Sequence, residues 1–242
     1  MALKREYVSV PERAVAAMPA GARFDEAVVC EGAFYANAAL KRIDLKPGHK
    51  ILICGATGAI GTAMIQVAKS IGAAVTAVVA TRHLELVKSL GADNAIDYTS
   101  EDFTRIGETF DFVVDAVEKI AFFQCRKLLK PDGLFAATDL GTWGQNVLLA
   151  MRSSIPRWNR VVIQVPGRIN GFVGFMKGRM EGQFRAIIDR KCALTEIADA
   201  YRYVETGQKV GIVVINVAAD ESAHVAQDNR TGTEPSASVI HL

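Results

Sequence analysis

The chain has 242 residues, of which half are apolar and 22% are charged, an ordinary composition for a globular α/β protein. The net charge of +2 is too small to favour nucleic acid or a membrane surface as a partner. The longest uncharged apolar stretch, Ile71 to Thr81, is too short to cross a bilayer, and the N-terminal residues contain no signal-peptide core. The four cysteines lie far apart, so we interpret them as reduced thiols of a cytoplasmic protein and expect no metal site.

From Lys50 onward, strand-like and helix-like segments alternate, which is typical of a parallel sheet built from βαβ units. The predicted strands are 50–54, 74–80, 94–98, 110–117, 134–139 and 160–165. The predicted helices are 59–71, 84–90, 121–129, 171–181 and 195–205. A turn is predicted at 130–133, and a final strand at 211–217 has no clear place in the sheet. Six strands with intervening helices predict a doubly wound α/β fold.

The loop after the first predicted strand is the most informative segment. Gly55, Gly58 and Gly61 form a G-x-x-G-x-x-G loop between a buried strand and a helix. Glycines let the backbone approach a pyrophosphate closely, and a helix N-terminus offers N–H groups and positive dipole charge. This context predicts dinucleotide binding. The alternative is a tight turn that binds nothing.

The end of the second predicted strand indicates which dinucleotide fits. Sheets that prefer NAD place an Asp or Glu there to hold the ribose 2′-hydroxyl. Here the strand is followed by Thr81, Arg82 and His83, so a hydroxyl and a cation stand in that place. Because an arginine pairs well with a phosphate, we predict NADP(H) as cofactor and Arg82 as the main selectivity residue. The alternative is that Arg82 is a solvated residue of a first helical turn.

Several motifs together resemble one family. They are the glycine loop, S-L-G-A-D…I-D-Y ending at Tyr98, F-D…D-A-V ending at Val117, and L-L-K-P-D-G ending at Gly133. These motifs are similar to the medium-chain dehydrogenase/reductase superfamily, and more narrowly to its zinc-independent quinone oxidoreductase and enoyl reductase branch. The resemblance covers about residues 5 to 217.

The resemblance implies a domain organisation. A Rossmann domain is expected at 24–190, a remnant of a GroES-like catalytic domain at 1–23, and a return helix and strand at 191–218. Residues 219–242 are polar and contain no aromatic residue, so we expect a flexible tail. Family members carry a whole catalytic domain ahead of the Rossmann domain, whereas this chain matches only the end of it. We therefore expect a second copy or another partner to cover the truncated face.

The resemblance also assigns site residues. Those expected to line the pyrophosphate are Gly55, Ala56, Thr57, Gly58, Ala59 and Ile60. Those expected around the adenosine 2′-phosphate are Thr81, Arg82 or His83, with Tyr98. Those expected beside the nicotinamide are Ala116, Val117, Leu140 and Gly141. Tyr98 has the alternative role of a packed aromatic at a strand end, and Ala116 and Val117 that of core residues. Glu118 stands where the family usually has glycine, and a charged side chain there would crowd the nicotinamide.

The activity implied by the resemblance is NADPH-dependent reduction of a quinone or a small conjugated carbonyl by hydride transfer. No catalytic residue and no metal ligand is assigned. Two other functions are alternatives. A short-chain dehydrogenase needs a Tyr-x-x-x-Lys pair, which no tyrosine here provides. A catalytically inactive nucleotide-binding or interaction module would share the same glycine loop.

Overall fold

A computed structural model of the chain describes residues 9, 16–17, 23–28, 30–117, 120–137, 160–163, 184–217 and 239–240. The chain forms two compact units. One spans Glu31–Arg168, and the other combines Met1–Cys30 with Ile169–Leu242. The domain boundaries drawn from the sequence stay predictions. The predicted tail at 219–242 lies outside the described residues, apart from Val239–Ile240, which pairs in antiparallel fashion with Ala16–Ala17.

The unit Glu31–Arg168 is built around a parallel sheet of six described strands. They are β1 (Lys50–Cys54), β2 (Ala74–Val79), β3 (Asn94–Asp97), β4 (Phe110–Asp115), β5 (Leu129–Ala137) and β6 (Arg160–Ile163). Their order across the sheet is β3-β2-β1-β4-β5-β6, and every pairing is parallel. This is the strand order of the doubly wound dinucleotide-binding fold, so the predicted fold class is confirmed.

The central strands are mostly apolar because both faces of the sheet are covered. In β1, the residues from Ile51 to Cys54 are fully buried, and β2 is buried from Val75 to Val79. One core cluster joins residues of all six strands with the helix Phe122–Cys125 and the 3₁₀ turn that follows this helix. Its members are Leu52, Cys54, Val78, Ile96, Phe110, Val113, Phe122, Cys125, Leu128, Leu129, Phe135, Ala137 and Val161.

Strand β5 begins five residues before the predicted start at 134. Its pairing with β4 is interrupted, since Phe110 lies opposite Leu129 and Phe112 opposite Leu134. The predicted turn at 130–133 therefore lies within the strand, where the regular pairing with β4 shifts its register. Lys130 in this segment forms an ion pair of 2.8 Å with Asp111.

Two described helices agree with the sequence prediction to within one residue. They are α3 (Ala59–Ile71) and α4 (Leu84–Ser89). Helix α5 (Phe122–Cys125) is shorter than the predicted 121–129 because the chain continues as a 3₁₀ turn at Arg126–Leu128. The helix predicted at 171–181 lies outside the described residues. None of the helices in the described ranges is long and apolar enough to cross a bilayer.

Helices α1 (Phe24–Val28) and α2 (Cys30–Arg42) were not predicted. The buried face of α2 is made mostly of alanines, which carry a weak hydrophobic signal; its members are Ala33, Ala36, Ala39 and Leu40. A Cβ added at Gly32 would lie 2.7 Å from the carbonyl oxygen of Ala59. Helix α2 thus packs closely against the first turn of α3.

The second unit contains strands β7 (Ile188–Ala193) and β8 (Ile212–Asn216), which pair in parallel, and helix α6 (Ile197–Glu205) between them. The final strand, which had no place in the prediction, is thus paired with β7. Strand β7 was missed because charged residues interrupt its apolar pattern. One of them, Asp189, accepts hydrogen bonds from the Tyr203 hydroxyl at 2.8 Å and from the Val210 N–H at 2.7 Å.

Candidate nucleotide-binding site

Two loops meet at the carboxyl ends of β1 and β4, where the strand order reverses. Gly55 begins the turn after β1 with φ of +76°, and Val117 lies two residues beyond the end of β4. A Cβ added at Gly55 would lie 2.1 Å from Cγ1 of Val117. In doubly wound sheets, ligands bind in the crevice outside the strand ends at this reversal point. The predicted glycine loop therefore lies where such a ligand would bind.

The first turn of α3 packs tightly on the same loop. A Cβ added at Gly61 would lie 2.2 Å from the carbonyl oxygen of Gly55, so only glycine permits this approach. The N–H groups of a first helical turn have no intrahelical acceptor. The N-cap residue, Gly58, has no side chain to accept them. The loop can therefore present backbone donors to an anionic group such as a pyrophosphate.

Val117 is positioned by Asp115, the last residue of β4. Asp115 is 2% exposed, and its carboxylate accepts hydrogen bonds from the N–H groups of Val117 at 3.0 Å and Ile120 at 3.1 Å. Val117 itself is 37% exposed, so it lies at the rim of the crevice and not in the core. Asp115 belongs to one of the family motifs, but no role was predicted for it. The carboxylate of Asp115 accepts from the N–H two residues further along the chain, which is an Asx-turn. An aspartate at the end of a predicted strand is a sequence signal for such a turn.

The residues predicted to bind the adenosine end lie at the carboxyl ends of β2 and β3. Thr81, Arg82 and His83 form a 3₁₀ turn that begins two residues after the end of β2 at Val79. The exposed Arg82 donates from Nε to Nε2 of His83 at 2.9 Å. Tyr98 follows β3 and is 57% exposed, so it is not a packed aromatic. The structure thus brings all four residues to one edge of the sheet, whereas Leu140, Gly141 and Glu118 lie outside the described residues.

Asp97, the last residue of β3, places a carboxylate at this edge that was not predicted from the sequence. Thr81 Oγ1 donates to Asp97 Oδ2 at 2.5 Å, and Thr99 Oγ1 donates to Oδ1 at 2.6 Å. These hydrogen bonds, that of Thr81 first, lower the pKa of Asp97 to about 2, so the carboxylate is ionised at neutral pH. No sequence pattern signals this arrangement, because only the order of the strands brings Asp97 next to Thr81.

Two cysteines near the site are buried and protonated. Burial raises the pKa of the Cys54 thiol well above its usual range. Burial, assisted by the negative charge of Asp115, raises the pKa of Cys125 to about 12. Neither thiol is therefore suited to act as a nucleophile. Within the described ranges, no three His, Cys, Asp or Glu side chains form a group that could hold a metal ion.

A family model described as zinc-binding dehydrogenase matches residues 90–215, just over half of the 242-residue chain. The chain belongs to the medium-chain dehydrogenase/reductase superfamily. The family predicted from the motifs is confirmed. Within this superfamily, the relatives named as quinone and enone oxidoreductases support the zinc-independent quinone oxidoreductase branch.

Two curated plant relatives have similar reductase names. A 2-methylene-furan-3-one reductase of Solanum lycopersicum is 32% identical over 87% of this chain and 52% of its own length. An NADPH-dependent alkenal/one oxidoreductase, chloroplastic, of Arabidopsis thaliana is 31% identical over 87% of this chain and 52% of its own length. The chain thus spans about half the length of these two relatives.

A solved structure extends the comparison to three dimensions. The quinone oxidoreductase of Thermus thermophilus, studied also in complex with NADPH, superposes with a TM-score of 0.72 at 26% identity. The match covers 88% of this chain and 73% of the Thermus chain. The shared fold includes the doubly wound sheet described above.

Proposed function

We propose that this chain binds NADP(H) in the crevice between β1 and β4 and belongs to a reductase of quinones or conjugated carbonyls. The observation that carries the proposal is the contact between Gly55 and Val117, which brings the glycine loop and the loop after β4 together at the reversal of strand order. Backbone donors for a pyrophosphate then lie beside a rim of apolar side chains. A dinucleotide needs both of these features.

Each end of the crevice would hold a different part of the cofactor. Residues 55–60 would bind the pyrophosphate through backbone N–H groups. The exposed side chain of Arg82 would donate to the ribose 2′-phosphate, and Tyr98 is exposed at the end of the neighbouring strand β3. Ala116 and Val117, together with Leu140 and Gly141, would line the nicotinamide.

When bound, NADPH supplies the hydride for the reduction. The residues of this chain would bind and orient the nicotinamide and would exclude water from one of its faces. Val117 is suited to this role because it is apolar, exposed and held in place by Asp115. No general acid is assigned among the described residues.

The names of the relatives support a substrate class. The plant relatives are named 2-methylene-furan-3-one reductase and NADPH-dependent alkenal/one oxidoreductase, and the Thermus structure is that of a quinone oxidoreductase. These names support a quinone or a small conjugated carbonyl as the electron acceptor. The cytoplasmic location stays a prediction, since the Arabidopsis relative is chloroplastic and a mouse relative is mitochondrial.

Association with a second copy or another partner also belongs to this proposal. Among the described strands, β6 is the last of the sheet and pairs only with β5. A strand with one unpaired edge can pair with another chain. Sedimentation velocity of the purified chain should show a dimer or larger species. A monomer that binds no dye for exposed apolar surface would contradict this expectation.

The proposed function is tested by titrating the purified chain with NADPH and NADH, followed by nucleotide fluorescence. We expect micromolar binding of NADPH and weaker binding of NADH. Oxidation of NADPH should then follow the addition of a quinone or an enone. Binding without oxidation would favour the inactive nucleotide-binding module, and binding of neither nucleotide would refute the proposal.

A further inference from the structure

The oxygen atoms of Thr81, Thr99 and Asp97 form a closed hydrogen-bonded cluster at the edge of the sheet. Thr81 Oγ1 lies 2.5 Å from Asp97 Oδ2 and 2.9 Å from Thr99 Oγ1, which in turn lies 2.6 Å from Asp97 Oδ1. Each threonine hydroxyl carries one proton. When both protons face the carboxylate, Thr81 has none to offer a ligand and presents only lone pairs.

The two oxygens of Asp97 differ in their remaining capacity. Oδ1 accepts from both the N–H and the hydroxyl of Thr99, whereas Oδ2 accepts from Thr81, and the Ser100 side chain also interacts with the carboxylate. A carboxylate oxygen can accept two hydrogen bonds, so Oδ2 has room for one further donor. A ribose 2′-hydroxyl is such a donor. A 2′-phosphate carries negative charge and accepts hydrogen bonds instead.

We infer that Asp97 is a specificity-determining residue, which favours a ribose 2′-hydroxyl over a 2′-phosphate and so limits the NADPH preference that Arg82 provides. Asp97 acts in two ways. It accepts the hydrogen bond that the Thr81 hydroxyl would otherwise donate to a phosphate. It also places a fixed negative charge next to the phosphate position. The inference rests on the proposed function, because it requires a dinucleotide bound at the ends of β2 and β3.

The substitution Asp97→Asn removes the charge and keeps the shape of the side chain. The amide oxygen can still accept from Thr99, and the amide N–H₂ can donate to Thr81 Oγ1, which frees the Thr81 proton for a ligand. We expect the ratio of the NADH dissociation constant to that of NADPH to rise about three- to tenfold.

The substitution Thr81→Val has the opposite expected effect. Valine has nearly the shape of threonine, but it cannot donate to Asp97 Oδ2. The carboxylate then keeps its charge and gains capacity for a 2′-hydroxyl. We expect the same ratio of dissociation constants to fall below that of the wild type. This variant keeps the test decisive if Asp97→Asn does not fold.

The matched control is Asp102→Asn. Asp102 accepts from the N–H and the hydroxyl of Thr104 at 3.0 and 2.6 Å, the same arrangement that Asp97 forms with Thr99. Asp102 is not bonded to the turn after β2 in the described hydrogen bonds. We expect Asp102→Asn to leave the ratio of the NADH to the NADPH dissociation constant within twofold of the wild-type value.

The experiment titrates the full chain and each variant with NADPH and with NADH. Opposite shifts of the ratio in Asp97→Asn and Thr81→Val, with no shift in Asp102→Asn, support the inference. If both nucleotides bind but the ratio is unchanged in both variants, Asp97 has only a structural role and the inference is overturned. If the wild type binds neither nucleotide, the proposed function fails and this inference fails with it.

Discussion

A methyl group of Val117 occupies the space that a side chain on Gly55 would need. The added Cβ would lie 2.1 Å from Cγ1 of Val117 and 3.0 Å from its Cβ. The contact joins the loop after β1 to the loop after β4. The shape of the glycine loop therefore depends on a residue from a different strand, and Asp115 keeps that residue in place.

The substitution Gly55→Ala should destabilise the chain and abolish nucleotide binding. It places a side chain at φ of +76° and against Val117. We expect a loss of about 3 kcal/mol in the free energy of unfolding, the sum of backbone strain and overpacking. Urea denaturation and NADPH titration would measure both effects.

Gly48 offers a matched control for this prediction. It has φ of +81°, and an added Cβ would meet nothing within 4 Å. Gly48→Ala should therefore lower the free energy of unfolding only by the cost of backbone strain, about 1–2 kcal/mol. It should still bind NADPH. Equal losses in the two variants would show that the contact with Val117 does not matter.

The substitution Arg82→Ala should weaken NADPH binding and spare NADH. A charge-assisted hydrogen bond to the 2′-phosphate contributes about 1.5–3 kcal/mol, so we expect a loss of roughly ten- to 150-fold for NADPH. The dissociation constant of NADH should change less than twofold. Arg105→Ala is the control, since Arg105 is an exposed arginine paired with Asp102. An unchanged nucleotide ratio in Arg82→Ala would contradict the role assigned to this residue.

The stability of the chain should fall in acid partly through Asp97. The hydrogen bonds from Thr81 and Thr99 lower the folded-state pKa of Asp97 from 3.8 to about 2. A lowered pKa contributes stability above the unfolded value, and this contribution is lost as the pH falls through the folded value. The free-energy difference between wild type and Asp97→Asn should therefore shrink between about pH 5 and pH 2.5. Urea midpoints across this range would measure it, and a difference independent of pH would contradict the assignment.

Cys54 and Cys125 should resist thiol reagents in the folded chain. Both are buried, and the pKa of each thiol is raised, so little thiolate forms at neutral pH. Cys192 is half-buried and should react before these two thiols. Mass spectrometry of labelled peptides would locate the modified cysteines, with the unfolded chain in guanidinium as the control. Labelling of Cys125 at the rate of Cys192 would show that the core around β1 opens readily.

The sequence was most informative where the signal is local. The strand, the glycine loop and the helix that follows it lie in one continuous segment, from Lys50 to Ile71. The structure forms all three. The strand before the turn Thr81–His83 was also predicted, to within one residue of its observed end at Val79. In these places, the pattern of apolar residues and the glycine positions determine the backbone without help from distant parts of the chain.

Features that depend on the order of the strands were missed. Asp97 contacts Thr81 only because β3 lies beside β2. Similarly, the role of Gly55 is complete only when Val117 is brought to it by β4. Strand β7 was not predicted because its sequence is not apolar. Its pairing with β8 and the hydrogen bonds of Asp189 stabilise it instead.

The contact between Gly55 and Val117 also couples any ligand of the loop to the unfolding of the sheet. The loop has its binding shape only while β1 and β4 remain paired, so a nucleotide bound there would select the folded state. By mass action, a ligand at 100 times its dissociation constant adds about 2.7 kcal/mol to the free energy of unfolding. Separation of β1 from β4 would then require the ligand to dissociate first, so the bound chain should exchange the amide hydrogens of these two strands more slowly.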